Sequence, residues 1–228
     1  MGLTWSQIIS HVSNMECKDK SILKELIDDT ISINTLPDRF NDITYIADSA
    51  FSDCKNLALT SLPEGITSIG RRAFYYCTKL ALTSLPEGIT SIGDGAFTGC
   101  SNLALTSLPE GITRIGDGFT FAGCTNLALT SLPEGMTRIG SYAFQGCPNL
   151  ALTSLPEGIT RIDYGAFFNC NGLTTLTFKG TPNSIAVDAF YSCTNLTTIN
   201  VPWAEGAVAY APWGATNATI NYNYTEVG

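Results

Sequence analysis

The stretch ITSIGDGAFTGCSNLALTSLPEG, residues 89–111, is followed at Ile112 by nearly the same string begun again, and this recurrence decides the architecture. A fixed period of about 20–50 residues marks a solenoid, a propeller or an array, so it outranks any local motif. Outward from this unit, Cys54, Cys77, Cys100, Cys124, Cys147, Cys170 and Cys193 follow at spacings of 23, 23, 24, 23, 23 and 23 residues. The single 24 comes from a one-residue insertion in Gly118-Phe119-Thr120-Phe121. The string between cysteines is almost constant, as in residues 102–116 and 126–140, where Met136 replaces an isoleucine.

Each unit reads as two short strands and a turn. Leucines three, five and eight residues after the cysteine form a short apolar run that Pro-Glu-Gly ends. Ile-Thr-Ser-Ile-Gly then alternates apolar with small polar residues, which predicts a second strand. Ala-Phe-x-x-Cys has room for no more than a helical turn. One unit cannot bury its own Leu, Ile, Phe and Cys, but about seven units stacked at ~4.8 Å share a continuous core roughly 34 Å long.

The ends depart from the repeat. Ile8, Ile9, Val12, Ile22, Leu23, Leu26 and Ile27 fall at helical spacing, which predicts a helical N-terminal cap over residues 1–30. The solenoid is expected over 31–201, its first unit carrying a three-residue insertion near residues 41–46. Residues 202–228, with Trp203, Tyr210, Trp213, Tyr222 and Tyr224 among Pro and Gly, have the composition of a covering hairpin or loop, a C-terminal cap.

Ile89 to Leu103, with Ile-Gly, Ala-Phe, Cys and Leu recurring in register, closely resembles the BspA-like, Treponema pallidum-type leucine-rich repeats of bacterial surface proteins. The resemblance spans about residues 31–201. It implies a right-handed leucine-rich-repeat solenoid used in adhesion to host matrix proteins, other bacteria or surface glycans, on a cell surface or in association with a prophage. This sequence departs from the family in one respect. The family places an aliphatic residue six after the cysteine, as Leu176 and Ile199 do, whereas Thr60, Thr83, Thr106, Thr130 and Thr153 stand there in the central units. Their aliphatic lies one residue earlier, at Leu59, Leu82, Leu105, Leu129 and Leu152, which predicts a local irregularity such as a bulge.

Composition narrows the function classes. A formal net charge of −8 repels polyphosphate and anionic lipid, so nucleic acid is not an expected partner. There is no run of 18 apolar residues, so membrane insertion is not expected. Residues 1–20 lack the pattern of a secretory signal, so the signal has been removed, export takes another route, or the protein stays inside. The eight cysteines include no Cys-x-x-Cys pair and His11 is the sole histidine, so the usual zinc spacings are missing and no cofactor is expected. One cysteine per unit predicts an inward ladder of buried thiols. A nucleophile triad fails on inventory, because His11 would have to meet both nucleophile and acid in a capping helix.

Two surfaces remain as candidates. Glu64, Glu87, Glu110, Glu134 and Glu157 form an acidic ladder, one per turn, which reads either as solubilising charge or as a weak cation site; Arg114, Arg138 and Arg161 lie four residues after a glutamate and are placed to neutralise part of it. The positions flanking Ala-Phe differ between otherwise copied units: Arg71, Arg72, Tyr75 and Tyr76 in one, Tyr142 and Gln145 in another, Tyr164 and Phe168 in a third. Positions free to vary inside a copied unit are those that core packing does not constrain, and exposed Tyr and Arg are enriched in binding hot spots. Trp203 and Trp213 read as cap residues before they read as sugar-stacking ones. The expectation is a non-catalytic module that binds an unknown protein or glycan ligand, with a structural spacer or assembly subunit as the alternative.

Overall fold

In the computed structural model, residues 44–225 are described. The expected helical cap, with His11, lies outside these residues. The chain winds as a β-solenoid. Seven short strands come from the Thr-Ser/Arg-Ile-Gly segment or its equivalent: β1 Tyr45–Ile46, β2 Ser68–Ile69, β3 Ser91–Ile92, β4 Arg114–Gly118, β5 Arg138–Ser141, β7 Arg161–Ile162 and β9 Ser184–Ile185. They pair in parallel, one turn to the next, as two sheets in the orders β1-β2-β3 and β4-β5-β7-β9. The break falls at the unit that carries the extra residue, where the β4–β5 register also shifts between Ile115 and Gly118. Register elsewhere is fixed by the isoleucines, Ile46 facing Ile69 and Ile139 facing Ile162, since a one-residue slip would turn each of them to solvent.

The other expected strand, in the leucine run, forms only toward the C-terminus: β6 Ser154–Leu155, β8 Thr175–Phe178, β10 Thr198–Asn200 and β11 Thr219–Asn221, in the order β11-β10-β8-β6. In the first turns the leucine run is irregular. Leu59 and Leu62 are both buried with exposed Thr60 and Ser61 between them, a spacing that strict strand alternation cannot provide. The run therefore bends, and a bond from the Ala81 amide to the Leu59 carbonyl (3.0 Å) ties it to its neighbour. In β8, Leu176 and Phe178 alternate into the core and a regular strand follows. The strand is lost in the turns of Thr60, Thr83, Thr106 and Thr130, and the turn of Thr153 keeps only the two-residue β6.

The helical turns are successive tight turns, and no helix is assigned among the described residues. Their side chains build two internal ladders. Phe51, Phe74, Phe97, Phe121, Phe144, Phe167 and Phe190 stack with centroids 5.1–5.6 Å apart and planes within 10° of parallel, inside the range of favourable offset stacking. Beside them, the Sγ of Cys77, Cys100, Cys124, Cys147, Cys170 and Cys193 each donates to the phenylalanine carbonyl of the preceding turn at 2.9–3.1 Å. These cysteines are buried thiols. Burial lifts Cys100 and Cys147 to about 12 and Cys193 to about 11, from 9.0.

The final turn is closed by aromatics. Trp213 is fully buried, its indole Nε1 donating to the Ala209 carbonyl at 2.7 Å, and Trp203 packs edge-on against Phe178 at 5.3 Å. Neither ring presents a face for a sugar. The chain does not fold back as a hairpin here: β11 pairs in parallel with β10, and Ala215 sits buried with the same i−3 backbone bond that Cys170 and Cys193 make. An eighth, degenerate turn thereby covers the core.

Candidate functional site

The turn Ala-Phe-x-x-Cys reverses the chain tightly and in doing so places the residue before the cysteine at positive φ in every unit, and the residue five before it in every unit but that of Cys193. The first row runs Ser49, Arg72, Gly95, Phe119, Tyr142 and Gly165; the second runs Asp53, Tyr76, Gly99, Gly123, Gly146, Asn169 and Ser192. Glycine occupies this left-handed region freely, whereas a residue with a Cβ is disfavoured there by roughly 1–2 kcal/mol. Yet Arg72 (φ 51°), Tyr76 (54°), Phe119 (55°) and Tyr142 (55°) adopt it, all with large side chains directed to the surface.

These rows form a ridge with a hollow in it. The second row is glycine in three consecutive turns, at Gly99, Gly123 and Gly146, and a Cβ added to Gly123 or Gly146 would meet only neighbouring glycine backbone, at 3.7–4.0 Å. Around this floor lies an open depression of about 830 Å³ that gathers Arg71, Arg72, Tyr75, Tyr76, Phe119 and Gln145, with Asp94 and Asp117. Arg72 lies over the Tyr75 ring at 5.4 Å, Tyr75 meets Tyr76 edge-on at 4.6 Å, and Phe119 stacks on Tyr142 at 4.8 Å. The ridge continues beyond the hollow, Tyr142 touching Tyr164 edge-on at 5.5 Å and Phe168 stacking on Tyr191 at 5.7 Å. Asp188, with Tyr142 contributing, holds the Tyr164 phenol above its usual range.

Five of the eight sequence-selected ridge residues, Arg71, Arg72, Tyr75, Tyr76 and Gln145, line one depression; Tyr142, Tyr164 and Phe168 extend the same corner. Phe119 was missed by sequence reasoning. Its signal is the one spacing of 24 among the 23s: the inserted residue puts an aromatic where Gly95 and Gly165 stand in other units. Asp163 was missed as well. It occupies the position of Gly70, Gly93, Gly116 and Gly140, where the preceding turn leaves little room, and its buried carboxylate is met by Arg138 at 2.7 Å and by Arg161.

The acidic ladder lies elsewhere on the unit. Glu64, Glu87, Glu110, Glu134 and Glu157 are all exposed on the Pro-Glu-Gly turns. Arg138 and Arg161 do not neutralise it: Arg138 bridges Asp117 and Asp163 at 2.7 Å each, and Arg161 pairs with Asp163. Lys179 meets Glu134 at 2.8 Å. Among the described residues no group of three or more His, Cys, Asp or Glu converges as a metal site, and no helix is long and apolar enough to cross a membrane.

A parallel solenoid of 23-residue turns, closed by a Phe and Cys ladder and carrying a varied outer corner, defines a leucine-rich-repeat scaffold. The BspA type leucine rich repeat region matches in six copies over residues 28–120 and 117–206, and the chain belongs to that family. The crystal structure of the T. pallidum leucine rich repeat protein is similar at 32% identity over 71% of this chain and 76% of that one, with a TM-score of 0.59. A leucine rich cell surface protein from Faecalibacterium prausnitzii is 27% identical over 84% of this chain and 59% of its own, with a TM-score of 0.48. A Bacteroides ovatus leucine-rich repeat protein is 22% identical over 82% and 60%, with a TM-score of 0.45. No curated protein matches the chain.

Proposed function

We propose that this protein is a non-catalytic binding module displayed at a bacterial or prophage-associated surface, and that it adheres to its ligand through the positive-φ ridge. The observation that carries this reading is the use of Arg72, Tyr76, Phe119 and Tyr142 at positions where neighbouring copies hold glycine. A strained residue persists when something other than the local backbone selects it, and exposed Tyr and Phe are poor candidates for solubility. The core gains nothing from these rings, since the Phe ladder beneath them is already continuous.

The test is a binding screen of the purified chain against matrix proteins, mucins and bacterial cell-wall fractions, with and without calcium. We expect saturable binding that the combined Arg71→Ala, Arg72→Ala, Tyr75→Ala and Tyr76→Ala variant loses while its unfolding curve stays in place. Binding that this variant retains would place the ligand on another face. No binding anywhere, with concentration-dependent sedimentation instead, would replace this reading by an assembly subunit.

A further inference from the structure

Tyr76 and Phe119 both line a depression with a glycine floor and a balanced charge. A Cβ added to Gly99 would lie 2.8–3.1 Å from three atoms of the Tyr76 ring, so this ring packs directly against the glycine. Tyr76 is 43% and Phe119 45% exposed. Two half-exposed aromatic rings beside a glycine floor suit a ligand with an apolar face of its own, and the C–H face of a pyranose ring is such a surface.

The polar groups agree with a hydroxyl-rich, uncharged ligand. The depression holds two cations, Arg71 and Arg72, and two anions, Asp94 and Asp117, so its charge is 2 − 2 = 0 in a chain whose net charge is −8. Neither a polyanion nor a polycation finds a complementary potential there, whereas hydroxyl groups use donors and acceptors together. A peptide adding as a strand has no edge to pair with. The floor amides are consumed from turn to turn: Gly99 donates to Ala122, and Gly123 to Gln145, at 2.7 Å, and Gly146 to Phe168 at 2.8 Å. From Tyr76 to Gln145 the depression spans three turns, about 14 Å at strand spacing, the reach of an oligosaccharide and not of a single sugar.

We infer that the hollow between Tyr76 and Phe119 binds a neutral glycan chain, its sugar faces stacked on these two rings over the Gly123–Gly146 floor. The inference rests on the ridge being the ligand face and adds the class of ligand. The full-length chain is titrated by calorimetry with neutral oligosaccharides released from mucin, with the sialylated fraction of the same release, and with the mucin polypeptide stripped of glycans. Expected is saturable binding of the neutral fraction, about tenfold weaker in Tyr76→Gly and in Phe119→Gly, as the loss of one stacking contact predicts. Both variants place glycine where adjacent turns already have it, so the fold is kept. Intact mucin bound together with its stripped polypeptide, and no released glycan bound, would overturn the glycan while leaving the ridge as the binding face. Preference for the sialylated fraction would overturn neutrality. Neutral glycans bound with equal affinity by both variants would overturn the site, and silence toward intact mucin and all fractions would count against the binding module itself.

Discussion

The inner face of each turn and its outer corner are built from the same 23-residue unit but have diverged in opposite ways. Inside, Phe97 and Cys100 recur as Phe121 and Cys124, Phe144 and Cys147, Phe167 and Cys170, every one of them buried. Outside, on the same tight turn and two residues away, Tyr76 becomes Gly99 and Asn169, and Arg72 becomes Phe119 and Tyr142. The inner positions share one environment repeated along an axis, so one solution serves every turn. The outer positions share a backbone conformation that favours glycine, and several depart from glycine with large side chains. What the copies hold constant is packing; what they vary is an exposed corner that packing does not constrain.

Alkali breaks the inner half of this comparison most strongly. Thiols lifted to about 12 (Cys100, Cys147) and about 11 (Cys193) remain protonated in the folded state while the unfolded chain ionises from 9.0 upward. Their contribution is fully present below pH 9 and is lost as pH climbs toward the folded values, at about 1.4 kcal/mol per thiol per pH unit. Denaturant unfolding at successive pH values should therefore show stability falling steeply above pH 9, with a shallower slope when a ladder cysteine is replaced by alanine. Stability that stays flat to pH 11 would mean that the thiols are not held as described.

A single substitution in the other ladder has the next largest effect. Phe121→Ala, with ring neighbours on both sides at 5.5 and 5.6 Å, should cost about 3–5 kcal/mol in equilibrium unfolding. At the margin between the two regions, Arg138→Met leaves the buried Asp163 with Arg161 alone. Losing one partner of a buried carboxylate costs about 3–5 kcal/mol, and the partial exposure of Arg138 reduces this to about 2–3 kcal/mol. A double variant Arg138→Met, Asp163→Gly restores the residue that other turns carry, and should recover much of that loss. Recovery absent from the double variant would show that Asp163 is structural in its own right.

Much of the fold was legible because a period needs no knowledge of backbone detail. The cysteine spacing, the Ile-Gly strand and the buried thiol ladder could all be read directly, and the two tryptophans read as cap residues are both buried. The leucine strand was misread in the first turns, because apolar residues at Leu59 and Leu62 look like a strand until one notes that Thr60 and Ser61 both lie outside. For the candidate site, variation between copies located Tyr75, Tyr76 and their neighbours without any structure. The backbone conformation that makes them unusual could not be seen, since φ at Tyr76 and Phe119 is imposed by the turn and leaves no mark in the residue type. Asp163 shows the same gap: its pairing with Arg138 joins residues on neighbouring turns that only stacking brings together.

The central claim is that the aromatic corner belongs to the ligand and not to the fold, and the unfolding free energy of Tyr76→Gly tests it most directly. Removing a half-exposed ring while relieving its positive φ should leave stability within about 1 kcal/mol of the parent, unchanged or higher. A loss well beyond that, comparable to the Phe121→Ala cost, would contradict the account and make the ridge part of the scaffold.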